Sequence, residues 1–387
     1  MDKYSDTDKN EPLRMIIKDR SDLFRAYEIL SHEKVIGVDL ESDSMFHYKE
    51  KVCLIQISIP ELNILIDTLS IKDLSPLFPI FSNPHIRKIF HGADYDIRSL
   101  FRDFKIEVIS LFDTQIAARL LGITQTGLSS ILETRFGIHL EKKYQKSDWS
   151  RRPISREMLQ YAVFDTYYLI PLSHMFEKEL IEKGRFSWFE EECELQSKVR
   201  FSPPKDEPLY LRFKGASKLS PLNLAILEKI LQWREKLALT KDIPPFKILG
   251  NQQILEIVNN KPMDMDGLDV LSKKQIESLG KSILMSIRAA MDMPQENLPL
   301  FPKEKRPRQN TATLKRINAL KEWRESFGEK TGLDPSIICP NSLIQAIALM
   351  DQSSPERLKE LGDIKRWQIE LFGYEICVLL ASISDRV

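Results

Sequence analysis

The sequence predicts an α/β domain followed by two all-α helical bundles, and three observations carry that prediction. Over roughly the first half of the chain, short apolar, β-branched runs alternate with segments of helical periodicity, as strands interleaved with helices do. Proline-rich breaks then fall at Pro203-Pro204 and across Pro294, Pro299, Pro302 and Pro307. Around the second break the sequence repeats: Gln232-Trp233-Arg234-Glu235 returns as Glu322-Trp323-Arg324-Glu325, and Asn251 with Ile254 returns as Asn341 with Ile344, at one offset of about 90 residues. A constant offset over several positions marks a duplicated module.

Residues 1–11 are polar and acidic, lack an apolar signal core, and read as a flexible N-terminus ahead of a domain spanning 12–202. Lys34 to Asp39 is an apolar β-branched run ending in an acid, expected as a buried strand that delivers Asp39 to a sheet edge. Asp39 and Glu41 stand two apart, so extended chain turns both to one face and lets one metal bridge them. A second strand, Arg87 to His91, runs through Gly92-Ala93-Asp94 into a helix carrying Asp96. The dipole favours acids there, so Asp94 and Asp96 also have an ordinary structural explanation. From Arg156 to about Lys183, Leu159, Val163, Tyr167 and Ile170 keep helical spacing, which places Tyr161 and Asp165, four apart, on one face. After the first proline break one bundle is expected over 210–295. A basic linker, 296–312, with Lys303, Lys305, Arg306 and Arg308, leads to a second bundle over 313–387. Trp233 and Trp323 read as core residues of their bundles.

The chain has 387 residues, 42% hydrophobic and 29% charged, a composition that suits two or three globular domains. With 56 basic and 56 acidic residues the net charge is +0, so any nucleic-acid track must be local. Cys53, Cys193, Cys339 and Cys377 show no C-x-x-C pairing, which supports neither a zinc site nor a disulfide framework. No G-x-x-x-x-G-K-[ST] loop is present, so no nucleotide cofactor is expected. No long apolar run is present either, and a cytoplasmic protein without membrane contact is expected.

Asp39, Glu41, Asp96, Tyr161 and Asp165 make a set with a chemical use: hard carboxylate oxygens suit Mg²⁺ or Mn²⁺. The blocks GVDLES (37–42), VCLIQIS (52–58), HGADYDIRSL (91–100), LFDTQIAARLLG (111–122), SDWSRRPIS (147–155) and YAVFDTYYLIPL (161–172) resemble, in order, the exonuclease domain of the ribonuclease D family. That family is the tyrosine subclass of the DEDD exonuclease superfamily, and the resemblance covers roughly residues 12–200. The two helical repeats resemble HRDC domains. A histidine-subclass alternative, with His91 and Asp96 as its H-x-x-x-x-D, leaves no middle carboxylate and meets Gln160 where its histidine should stand. Leu40 stands between the first two acids where threonine is frequent, and should face away from the metals.

The resemblance implies a ribonuclease H-like fold, a mixed central sheet flanked by helices, and 3′→5′ hydrolysis of RNA to nucleoside 5′-monophosphates by two divalent ions. It implies Asp39, Glu41, Asp96 and Asp165 as ligands, Tyr161 as the residue that positions the attacking water, and precursor tRNA 3′ ends as substrate. Met45 and His47, beside Phe46 and Tyr48, are candidates to stack on terminal bases. His91 reads as a strand-end residue near the site, and Trp149 and Arg152, with Arg151, as packing and phosphate contacts. The HRDC resemblance and the basic stretch imply further contact with nucleic acid. Two rival functions remain at this point: a Werner-type DNA exonuclease, which shares the motifs, and a nuclease-like binding module without activity, which a missing carboxylate would betray. None is missing.

Overall fold

The computed structural model describes residues 14–140, 143–203, 205–302, 310–350 and 354–384. The expected flexible N-terminus, 1–11, and the linker residues Lys303, Lys305, Arg306 and Arg308 lie outside the described residues. The chain divides into two units, one of Met1–Ser42, Val52–Phe201 and Pro307–Val387, the other of Asp43–Lys51 and Ser202–Arg306.

In the first unit the chain runs β1 (Arg14–Ile17), α1 (Arg20–Ser31), β2 (Val35–Ser42), β3 (Val52–Ile59), β4 (Leu62–Asp67), α2 (Phe78–Ser82), β5 (Arg87–Phe90), α3 (Asp94–Phe104), β6 (Leu111–Asp113), α4 (Thr114–Leu121), α5 (Leu128–Phe136), α6 (Arg156–Tyr167), α7 (Leu169–Glu182) and α8 (Phe186–Ser197). The sheet order is β1-β4-β3-β2-β5-β6. β2, β3 and β4 pair antiparallel, while β1–β4, β2–β5 and β5–β6 are parallel, so the sheet is mixed as the resemblance implied. β3 is buried along its whole length, so its two polar residues, Gln56 and Ser58, lie inside the packed domain and not toward solvent.

Two local features depart from expectation. The strand expected over Lys34–Asp39, β2, does not stop at Asp39 but continues to Ser42, and it is an interior strand of the sheet. β5 pairs only with Val35–Gly37, so beyond Gly37 that flank of β2 is free of a strand and Asp39 and Glu41 have room beside them. The expected helix over 156–183 is two helices broken at Tyr168. Pro171 explains the break: in a continuous helix its ring would meet the Tyr167 carbonyl and its missing N–H would leave a gap, whereas in the first turn of a new helix no donor is needed.

The second unit holds α9 (Pro221–Lys241), α10 (Pro245–Ile248), α11 (Asn251–Asn260) and α12 (Lys273–Met291) around a core that includes Leu227, Ile230, Ile254 and Ile283. The loop Asp43–Lys51 packs on these helices: the Tyr48 hydroxyl donates to Glu235 Oε2 at 2.9 Å, and the Lys247 ammonium lies 4.1 Å from the Phe46 ring centre.

The second helical repeat, in the first unit, contains α13 (Thr311–Thr331), α14 (Pro335–Ile338), α15 (Asn341–Ala348), α16 (Pro355–Leu358) and α17 (Arg366–Ser384). The starts of α13, α14 and α15 follow those of α9, α10 and α11 by 90 residues each. The duplication extends to side chains. Arg234 donates to the Leu249 carbonyl and Asn251 Oδ1, and Arg324 donates to the Cys339 carbonyl and Asn341 Oδ1. Trp233 and Trp323 pack against their respective cores.

This second repeat is fastened to α8. Glu191 accepts from the Arg366 and Trp367 backbone N–H groups at 2.8 and 3.0 Å, a carboxylate placed at the N-terminus of α17. Glu192 accepts from Lys365 Nζ and from Trp367 Nε1, and the Trp188 and Trp367 rings stack with centres 5.0 Å apart. At the other end of the contact Arg185 bridges the Leu120 and Thr331 carbonyls. Gly122 (φ 85°) lies so close that a Cβ there would sit 2.3 Å from the Gly332 oxygen. Removing the cap with Glu191→Ala is expected to cost about 1–2 kcal/mol. Faster amide hydrogen exchange at Arg366 and Trp367 is the readout.

Candidate active site

Three elements bring the predicted acids together. Asp39 and Glu41 alternate onto one face of β2, and Asp165 comes from α6, which crosses that face. Gly37 permits the crossing, since a Cβ at this position would lie 2.9 Å from the Thr166 carbonyl oxygen. Below the acids the packing is locked by Ser58 of β3, which hydrogen-bonds both Thr166 and Asn63. One carboxylate oxygen from each of Asp39, Glu41 and Asp165 lies within 4.8 Å of the others. These acids, with Tyr161, His91, Gln115, Ser129 and Gln145, line a cavity of about 430 Å³.

Asp96 is delivered by the first turn of α3 and is buried. Its charge acts on both Asp39 and Glu41, so it belongs to the same electrostatic group. Asp94, its neighbour in the sequence, instead points to solvent and pairs with Arg98 at 2.8 Å. The helix start is set by Asp113, a residue of the LFDTQIAARLLG block to which the resemblance assigns no role. Its carboxylate accepts from the Gly92 and Ala93 N–H groups at 2.9 and 2.7 Å and caps α4 through Gln115 N at 2.8 Å. An acid placed just before a helical run is an N-cap signature, so the signal was present.

Burial raises the Asp39 carboxyl well above the usual carboxylate range, and the charges of Asp96 and Asp165 raise it further. Glu41 is raised for the same reasons, burial first and then Asp39. Asp96 is pushed up to about 8, chiefly by burial and then by Asp113. Asp165 reaches about 7 through burial, opposed by the hydrogen bond from Tyr161. Acids packed this closely are neutralised either by protons or by a cation, and three convergent hard oxygens are the donor set of a divalent ion such as Mg²⁺ or Mn²⁺. The residues therefore fit the cation that the resemblance implies.

The Tyr161 phenol is raised above its ordinary value by burial and by Asp165, which excludes it as a base near neutral pH. It is a donor aimed at Asp165, held by Trp149 and Tyr144 with ring centres 6.2 and 6.0 Å away. Tyr161→Phe is expected to lower hydrolysis roughly 10²-fold with a measurable residue of activity, the scale of a lost proton-positioning contact. Single-turnover rates against wild type at equal Mn²⁺ measure it.

The other predicted contacts fare differently. His91 lines the cavity, with Nδ1 2.9 Å from the Thr114 hydroxyl, and burial lowers its pKa, so the ring is neutral. Leu40 is buried in the core. Met45 is exposed, and His47 Nδ1 lies 2.8 Å from Asp242 Oδ2, both within the second unit. Trp149 and Arg152 require correction as substrate contacts. Trp149 is 1% exposed, packed among Leu54, Leu65 and Ala162, and offers no face to a base. Arg152 has all five guanidinium N–H groups engaged, by Asp67 twice and by the carbonyls of Trp149, Arg151 and Cys53. A fork so filled has no donor left for phosphate. The motif was legible in the sequence, but its partner Asp67 was not.

The family model described as 3'-5' exonuclease matches residues 15–181, and the HRDC domain model matches residues 223–287 and 313–380. The chain is 29% identical to ribonuclease D of Haemophilus influenzae over 88% of its own length and 86% of that protein. It is similar to the catalytic core of RRP6 from Trypanosoma brucei, with TM-score 0.65 and 29% identity over 73% of this chain and 80% of that one. It also shares its fold with Escherichia coli RNase D, with TM-score 0.69 and 24% identity over 95% of this chain and 99% of that one.

Proposed function

The chain belongs to the ribonuclease D family of 3′-5′ exonucleases with HRDC domains, and from that premise we propose that it trims the 3′ ends of precursor tRNA using two divalent metal ions. It is a hydrolytic 3′→5′ exoribonuclease. The observation that supports the metal-dependent part of this reading is the convergence of Asp39, Glu41 and Asp165 oxygens within 4.8 Å beside a phenol that cannot ionise near neutral pH.

Asp39, Glu41, Asp96 and Asp165 would hold the cations, whose chemistry when bound is to acidify water and to offset charge on the departing 3′-oxygen. The chain's own part is geometric. Gly37 and Ser58 fix α6 against β2, so that Asp165 faces Asp39. Asp113 fixes the start of α3, the helix that carries Asp96. Tyr161 presents its hydroxyl to orient the attacking water, and His91, neutral and tethered to Thr114, borders the cavity where the terminal nucleotide lies. Among the described residues no helix is long and apolar enough to cross a membrane, and a cytoplasmic setting agrees with a tRNA substrate. HRDC-borne contact with RNA, centred on the basic stretch near 303–316, is part of the same reading.

The test offers matched 5′-labelled RNA and DNA, each with Mg²⁺ or Mn²⁺, and then a tRNA carrying a 3′ extension, with Asp96→Asn as control. Stepwise mononucleotide release from RNA, stopping near the mature tRNA end, is expected. Degradation running through the tRNA body would sink the substrate assignment, and activity in the control would sink the ligand assignment.

A further inference from the structure

Gln56, near the centre of β3, is fully buried, and neither end of its side-chain amide has a hydrogen-bond partner among the described residues. Buried amides without partners are rare, because each end forfeits its bond to water. The position explains what the amide could serve. β2 and β3 pair antiparallel with Gln56 directly opposite Asp39, and cross-strand neighbours in that relation turn their side chains to one face, with Cβ atoms about 4.5–5.5 Å apart. Two residues away on either side, Leu54 packs in the cluster of Tyr161 and Ala162, and Ser58 bonds Thr166. Gln56 thus lies beneath α6, on the face that carries the acids.

We propose that Gln56 is a positioning residue for the cation site: its Nε2 would donate to the Asp39 carboxylate and so fix the orientation in which that carboxylate would hold a cation. The proposal rests on the metal-site reading above. Outer partners of this kind fix the orientation of a ligating carboxylate.

Gln56→Leu removes the amide and puts an apolar side chain of similar size in its place. Because both ends of the amide are buried without a hydrogen-bond partner, the metal-free thermal midpoint should stay level or rise. Mn²⁺ alone, followed by titration calorimetry, should bind about tenfold more weakly. The Mn²⁺ dependence of RNA hydrolysis should shift upward by the same factor while KM for RNA at saturating Mn²⁺ stays unchanged. Gln56→Met, equally apolar but unbranched, should reproduce both results. A fall in the metal-free midpoint of both variants would show a packing role and overturn the proposal. Equal Mn²⁺ affinity in variant and wild type would overturn it too, and so would a raised KM at saturating Mn²⁺. Failure of the wild type itself to bind Mn²⁺ would remove the metal-site reading, and this proposal with it.

Discussion

Asp39→Asn should lower RNA hydrolysis by at least ~10³-fold while leaving the fold intact, a loss of about 4 kcal/mol in transition-state stabilisation. Asp39 shares one small volume with Glu41 and Asp165, so the amide removes a charged ligand without changing shape. The same crowding predicts a stability effect of opposite sign. In the metal-free protein Asp96 titrates at about 8 and Asp165 at about 7, against an ordinary carboxyl value of 3.8. The folded state therefore holds protons that the unfolded chain has already released. This contribution is complete below the ordinary value and is lost as pH rises through 7 and 8. The metal-free wild type should lose stability across that window, and saturating Mn²⁺ should restore it, since the cation takes the place of the protons. Asp39→Asn should show a shallower pH dependence. Circular-dichroism melts from acid to mildly alkaline pH, with and without Mn²⁺, measure both effects. A steeper loss in the variant, or turnover near the wild-type rate, would refute the assignment.

Arg152→Ala should destabilise the protein by about 3–5 kcal/mol, the range for breaking a buried ion pair from one side. Asp67 is 2% exposed and receives two of the guanidinium donors at 2.7 Å, so the substitution strands its carboxylate. Asp67 is desolvated by its burial, yet Arg152 and the neighbouring donors hold its pKa below the ordinary value. The carbonyls of Cys53 and Trp149 lose a donor as well. Urea melts give the cost. At temperatures where the variant stays folded, KM for RNA should be close to wild type, because no part of the guanidinium is available to phosphate. A large rise in KM with little change in stability would reinstate the phosphate-contact role.

The carboxylates were legible because each carries a local pattern: two acids alternating on a strand, an acid at a helix start, and a phenol and an acid one turn apart. Their order along the chain joins them into one family signature. The repeat was legible for a similar reason, since a duplicated module preserves both spacing and the paired Arg–Asn bonds. Trp149 and Arg152 were misread because an aromatic and two arginines beside a catalytic motif look the same whether they face substrate or core. The difference lies in Asp67, 85 residues away in the chain.

What the sequence determined by itself is chemistry and periodicity: which groups can bind a cation, which face of each strand or helix they occupy, and how many modules follow. Tertiary structure alone decided that β2 runs on past Asp39 in the interior of the sheet, that Asp113 anchors the start of α3, that Glu191 and Glu192 fasten the second repeat to α8, and that Gln56 lies unpaired opposite Asp39. Each of these depends on pairing between residues far apart in the chain. Local propensity acts over one or two turns, whereas strand register and buried hydrogen bonds are settled by which distant surfaces exclude water together.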